Sequence, residues 1–279
     1  MRQVNMVLLG LKASTDKRQI IDRLQYHPQV FEFHLTENDM TVDGLKQLAD
    51  DIDWVKEAAT NKIILHEPIR YHNHQMEMIL PEKYDHEFYC FMMTSITKII
   101  DLAREKNILA LVHGAFNKET GKYLQMYPGF DAAETELLRR LDYFAKYGGK
   151  YLCVENSISP VWGYADPKIR QLAKEHHYQL AFDTSHVFIQ SHGSNQILQE
   201  ALRDLYHQIV HYHLVDSNGE FHDSLPLGQG KIDWQKVVPL LNPQATSIYE
   251  INLANQLDAT EQVASHRYLT NLIIQDHLS

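Results

Sequence analysis

Eight times along this chain a short, nearly continuous apolar run is followed by a stretch with helical periodicity, and that alternation constrains the fold more than any other feature. The runs occupy residues 4–11, 30–35, 62–66, 108–113, 150–155, 179–183, 209–215 and 247–253. Runs this short and this apolar suit strands buried on both faces of a parallel sheet. The segments between them are amphipathic. Ile20, Ile21 and Leu24 share one helical face, Leu45, Leu48, Ile52 and Val55 a second, and Leu137, Leu138, Leu141, Phe144 and Ala145 a third. Gly148-Gly149 can supply a left-handed stop before the fifth run. Eight such units without a break in composition predict a single α/β domain over 1–279, a closed (β/α)8 TIM barrel. A doubly wound open sheet would call for a glycine-rich turn after the first strand, and Gly10-Leu11-Lys12-Ala13 has one glycine.

Composition narrows the function classes. With 44% hydrophobic residues the chain can bury a large core, and no apolar run reaches the length of a membrane span. The N-terminal run is too short for a signal peptide and reads as the first strand. Two cysteines, Cys90 and Cys153, both in apolar runs, read as core residues and imply no disulfide framework, which predicts a cytoplasmic protein. A net charge of −10 disfavours general nucleic-acid binding, because displacing counterions from phosphates needs Lys and Arg. The longest loop, residues 69–83, is expected to lie over the active site. Arg70, Lys118 and Lys122 are the candidates for a phosphate grip, against a plainer reading as surface charge.

The chemistry collects at strand ends. The third run ends in His66-Glu67, the fourth in His113, the fifth in Glu155-Asn156, the sixth in Asp183-Thr184-Ser185-His186, the seventh in His213 followed by Asp216, and the eighth carries Glu250. In a barrel these ends meet on one rim, where catalytic groups sit. Each residue alone has a plain reading: a hydrogen-bonded rim histidine, a glutamate paired with lysine, an aspartate capping the next helix. Together they place several carboxylates in one low-dielectric space, which calls for a compensating cation. A mixed His/Asp/Glu set suits zinc, manganese, cobalt or iron better than calcium or magnesium.

At these residues the sequence resembles the xylose isomerase-like TIM-barrel superfamily, which includes sugar isomerases and epimerases, inosose dehydratases and the endonuclease IV family. Val154-Glu155-Asn156, Phe182 to His186, His213 to Asp216, Leu225 to Trp234 and Glu250 carry the resemblance. It implies that Glu155, Asp183, His213 and Glu250 hold a divalent ion and that Glu155 and Glu250 are the catalytic pair. They would move a proton beside the carbonyl of a small carbohydrate-like substrate. It gives His186, His222 and Asp216 to the substrate, and allows an oligomer. His66 and His113 match histidines that, with Glu155, bind a second ion in endonuclease IV. The stretch His222-Asp223-Ser224 departs from that enzyme's third-metal motif, and Ser217-Asn218-Gly219 lacks the arginine of ketose 3-epimerases. The resulting order is a metal-dependent isomerase, epimerase or related lyase first, a two-metal phosphoesterase second, and a non-catalytic metal-binding barrel third.

Overall fold

The computed structural model describes residues 7–116 and 118–278, with side chains up to 275. Eight strands, β1 (Gly10–Ala13), β2 (Val30–His34), β3 (Ile63–His66), β4 (Leu109–His113), β5 (Leu152–Glu155), β6 (Leu180–Asp183), β7 (Ile209–Leu214) and β8 (Thr246–Tyr249), hydrogen-bond in chain order. Every pair is parallel. Helices lie between the strands, which makes the nearly closed (β/α)8 barrel expected from the alternation. None of the described helices is long and apolar enough to cross a membrane.

The strand period of two divides the core. Outward residues such as Phe31, Phe33, Leu65, Val112, Val154, Phe182 and Tyr212 join the large layer beneath the helices. Inward residues Val30, Ile64, Leu111, Cys153, Ala181 and Ile248 form a separate small cluster inside the barrel.

Several local expectations shift. The first strand is not at 4–11. Residues 4–6 lie outside the described residues, Leu8 packs against the inner cluster, and pairing begins at Gly10. Leu8 thus reaches the barrel floor, Leu9 packs into the layer beneath the helices and accepts from Val30 N at 3.1 Å, and the strand runs on to include Lys12. In the helix Lys17–Leu24, Ile21 is 58% exposed, while Arg23 is buried and donates through Nε to the Lys12 carbonyl at 3.1 Å. Cys153 is buried as expected, but Cys90 is exposed on the helix His86–Lys106, beside His86. The long loop forms a short ribbon, Arg70–Tyr71 against His74–Gln75. Its continuation through Met76, Met78, Ile79 and Leu80 is buried and tied down by Arg140, which donates to the Met78 and Leu80 carbonyls at 2.6 and 2.8 Å.

The hydrogen-bonded order starts at β1 and ends at β8, and these two strands close the barrel by backbone proximity. A Cβ on Gly10 would stand 1.8 Å from the Ser247 carbonyl oxygen. Gly10→Val should therefore destabilise the chain by roughly 1–3 kcal/mol or more through forced backbone movement. Gly121→Ala, whose Cβ would meet nothing within 4 Å, is the control and should be close to neutral. Urea unfolding of the two variants checks this; equal midpoints would mean that the seam is not tight.

Candidate metal centre

The inner apolar layer predicts the layer above it. Two residues after Val30 comes Glu32, after Ile64 His66, after Leu111 His113, after Cys153 Glu155, after Ala181 Asp183, and after Ile248 Glu250. Side chains two apart on a strand share a face, so the barrel's interior changes from aliphatic to ionisable within one step. The six residues expected around a metal do converge. His66, His113 and Glu155 form one group, and Glu155, Asp183, His213 and Glu250 another, with one candidate donor atom from each residue of a group lying within 4.8 Å of the others.

Glu155 belongs to both groups. Its Oε1 is 3.1 Å from His213 Nδ1, and its Oε2 is 3.2 Å from His113 Nε2 and 3.8 Å from His66 Nε2. Glu250 Oε2 also closes on His213 Nδ1. Yet both Glu155 oxygens and His213 Nδ1 are buried without a hydrogen-bond partner. They are near enough to bond but not aligned to do so, and an orphaned buried carboxylate is costly. Donor atoms that share a space without bonding one another fit a common cation.

In the protein alone, protons supply part of that compensation. Burial opposes charge on His113, but Glu155 and Glu67 outweigh it and draw its pKa up to about 10. Burial likewise opposes charge on His213, and Glu155, Glu250 and Glu32 raise it well above the usual range. Burial would lift Glu155, but His113 and His213 hold it well below the ordinary carboxylate value. His66 is held low, first by burial and then by Lys12 and His113.

Beneath His213 lies a cluster that the strand-end reading missed. Glu32 Oε2 accepts from His213 Nε2 at 2.9 Å and His211 Nε2 at 3.0 Å, and Lys12 Nζ is 3.1 Å from Glu32 Oε1. Lys12 also pairs with Glu250. Glu32, His211 and His213 are close enough to hold an ion themselves. The ammonium already occupying that carboxylate makes a hydrogen-bonded support the better account. Once His213 gives up its second proton, an Nε2–H donated to Glu32 leaves the lone pair of Nδ1 for an ion shared with Glu155 and Glu250, the arrangement in which a carboxylate orients a ligating imidazole. His34, also unassigned from sequence, lies tilted beside His66 with ring centroids 5.5 Å apart and keeps Nδ1 buried without a partner.

The remaining expected residues divide. Asp183 Oδ1 caps the helix Thr184–Gln190 by accepting from His186 N at 2.7 Å, and it also accepts from Ser185 Oγ at 2.8 Å. The plain cap reading is therefore true, and a second carboxylate oxygen remains for the centre. His186 and His222 meet, Nε2 to Nε2, at 2.9 Å. His186 Nδ1 faces the Asn156 carbonyl at 2.9 Å and His222 Nδ1 faces Ser224 Oγ at 3.2 Å, so one consistent chain runs from hydroxyl to imidazole to imidazole to carbonyl. Neither histidine belongs to a possible ion-holding group among the described residues. Asp216, expected to touch substrate, does something else. Its carboxylate accepts from Ser217 N, Gly228 N, Ile232 N and Trp234 Nε1 at 2.8, 2.8, 3.2 and 2.9 Å, and so organises the loop after β7.

Removing Glu32 would leave Lys12, His211 and His213 without their shared acceptor. Glu32→Ala should cost roughly 3–5 kcal/mol, the scale for breaking a buried charged cluster. Asp216→Ala should cost roughly 1–3 kcal/mol by stranding buried N–H groups. Both are read by urea unfolding, and a Glu32→Ala midpoint equal to wild type would refute the support role.

The chain matches the family model described as xylose isomerase-like TIM barrel over residues 91–265, more than half its length. No curated protein matches it. Among solved structures it is similar to a D-tagatose 3-epimerase-like protein, with 16% identity over 98% of this chain and 100% of the other and a TM-score of 0.68. It is similar to 3-keto-D-glucoside 4-epimerase from E. coli, with 17% identity over 95% and 99% and a TM-score of 0.64. It is also similar to a family 2 AP endonuclease from Brucella melitensis, with 12% identity over 93% and 96% and a TM-score of 0.63. At such identities these likenesses speak for the fold. With the family match they place this chain in the xylose isomerase-like TIM-barrel family.

Proposed function

We propose that the protein is a divalent-metal-dependent isomerase or epimerase, or a related lyase, acting on a small sugar-like substrate. Glu155, Asp183, His213 and Glu250 would hold a zinc, manganese or cobalt ion. The observation that carries this reading is a contrast within the set. Glu155 and Glu250 both face His213 Nδ1, but the Glu250 side chain is 29% exposed whereas those of Glu155 and His213 are fully enclosed. One carboxylate is thus open to a substrate and its counterpart stands on the inner side.

A divalent ion in this set would stabilise negative charge growing on a substrate oxygen and so acidify the neighbouring C–H. Glu250 is the carboxylate placed to accept that proton. Burial would raise its pKa, but His213 and Lys12 hold it well down, so it waits ionised. Glu155 is the second carboxylate of the pair; it is ionised at rest, so it returns a proton only after taking one from His113, whose Nε2 is 3.2 Å from Glu155 Oε2. Support also comes from similar folds described as D-tagatose 3-epimerase-like and 3-keto-D-glucoside 4-epimerase.

A second reading, a two-metal phosphoesterase, is favoured by the group His66, His113 and Glu155, which proton-transfer chemistry does not need. The similarity to a family 2 AP endonuclease agrees with it. Against its DNA-directed form stand the net charge of −10 and the mutual bond of His186 and His222.

Incubation of manganese- or cobalt-loaded protein with ketoses, polyol-derived ketones and their phosphates in D₂O separates the two. Solvent deuterium should enter the carbon beside the carbonyl, and Glu250→Gln should slow that exchange about 10²–10⁴-fold, the scale for losing an acid–base group. No deuterium across the panel, with hydrolysis of an abasic-site duplex or a simple phosphodiester, would transfer the assignment to the second reading.

A further inference from the structure

The barrel has a second opening, at the end away from the metal centre. A cavity of about 270 Å³ lies there among the N-terminal ends of β3, β4, β7 and β8. Ile63, Ile64, Ile108, Leu109 and Val210 form its apolar part. Ile64 belongs to the inner cluster, and Leu109 and Val210 pack against that cluster while remaining only half-buried. The aliphatic layer inside the barrel is therefore partly open to water at this mouth, and covering it would be favourable.

The polar lining is of one kind. Lys62 and Lys150 bring ammonium groups, Asn61 and Asn107 amides, and Tyr151 and Thr246 hydroxyls, and no carboxylate lines the cavity among the described residues. In a chain of net charge −10, two cations without an acid run against the average of the surface. Lys150 lies over the Tyr151 ring, 5.0 Å from its centroid, and neither ammonium is paired with a carboxylate among the described residues. Lys106, at the same end of the barrel, is paired with Asp53 at 2.5 Å.

A cleft with low-dielectric walls and charges of one sign concentrates the counter-ion. Here the walls are aliphatic and the charges positive, so an anion with an apolar body satisfies both halves of the lining. The space matches roughly nine water molecules at about 30 Å³ each, which sets the scale of the ligand at a single ring or a short chain. Barrel chemistry belongs to the opposite rim, so a ligand at this face is bound and not converted.

We infer that this floor cavity is a binding site for a small organic acid, with its apolar body against Leu109 and Val210 and its carboxylate between Lys62 and Lys150. The site is separate from the metal centre and stands whatever reaction that centre performs.

Ligand-observed NMR titration of the zinc-loaded full chain at low ionic strength tests this with benzoate and hexanoate. Benzyl alcohol supplies an apolar body without the charge, and inorganic phosphate the charge without the body. At least one of the two acids should bind tenfold or more tightly than either control, and added salt should weaken it. The double variant Lys62→Gln/Lys150→Gln changes two exposed side chains, so it should keep the wild-type urea midpoint and lose tenfold or more in affinity for the acid. Should it not fold, the two single variants decide, each with an expected loss of threefold or more. Lys46→Gln, at an exposed position on the helix Val42–Ala58, should bind as wild type does. No binding of either acid, benzyl alcohol or phosphate bound as tightly, or acid binding that survives the loss of both lysines and so lies elsewhere, at the zinc ion for instance, would each overturn the inference.

Discussion

Four buried or partly buried carboxylates, Glu32, Glu155, Asp183 and Glu250, share the upper interior of this barrel with a single ammonium, Lys12. Such a concentration of like charge in a low-dielectric space is untenable without positive partners, and the rest of the site is arranged around supplying them. Lys12 bridges Glu32 and Glu250. His113 and His213 take protons in the free protein because Glu155 lies between them. The orphaned oxygens of Glu155 mark where this compensation falls short, and a cation there would complete it.

Much of this was legible in the sequence, because strand geometry is strict. An apolar run that ends in a histidine or acid places that group on the barrel rim whatever the intervening helix does. Hence His66, His113, Glu155, Asp183, His213 and Glu250 could be named as a set, and the structure brings them together. The barrel itself followed from the alternation of elements. What escaped notice were inward groups one step below the rim. Glu32 sits between Phe31 and Phe33 in a run read simply as a buried strand, and only its parity with Val30 and His34 betrays an interior position. His211 is the same case, two residues before His213. Lys12 was lost because the first apolar run was taken to end the strand at Leu11, when the strand continues through Ala13.

Asp216 shows the opposite failure. It follows a strand as the site residues do, so local sequence puts it among them. Its four donors come from positions up to Trp234, folded back by turns that no short-range pattern specifies. A carboxylate's role depends on which N–H groups reach it, and that is a property of the assembled loop. Asp183 lies between these extremes, with one oxygen capping a helix and the other left for the centre. Cys90 was misplaced for a simpler reason: apolar neighbours in a helix do not say on which side a given residue falls.

The seam between β1 and β8 has a consequence for how the molecule comes into being. Lys12 and Glu250 are 238 residues apart in sequence, yet they meet across that seam. Contacts of such long range form late, since the chain between them must lose its freedom before they can reward it. During synthesis from the N-terminus, the first stave of the barrel waits for the last, and Lys12 stands without Glu250 until the segment after β8 has emerged. The centre cannot be complete before the segment that bears Glu250 joins the barrel, so closing the barrel and completing the site share a contact.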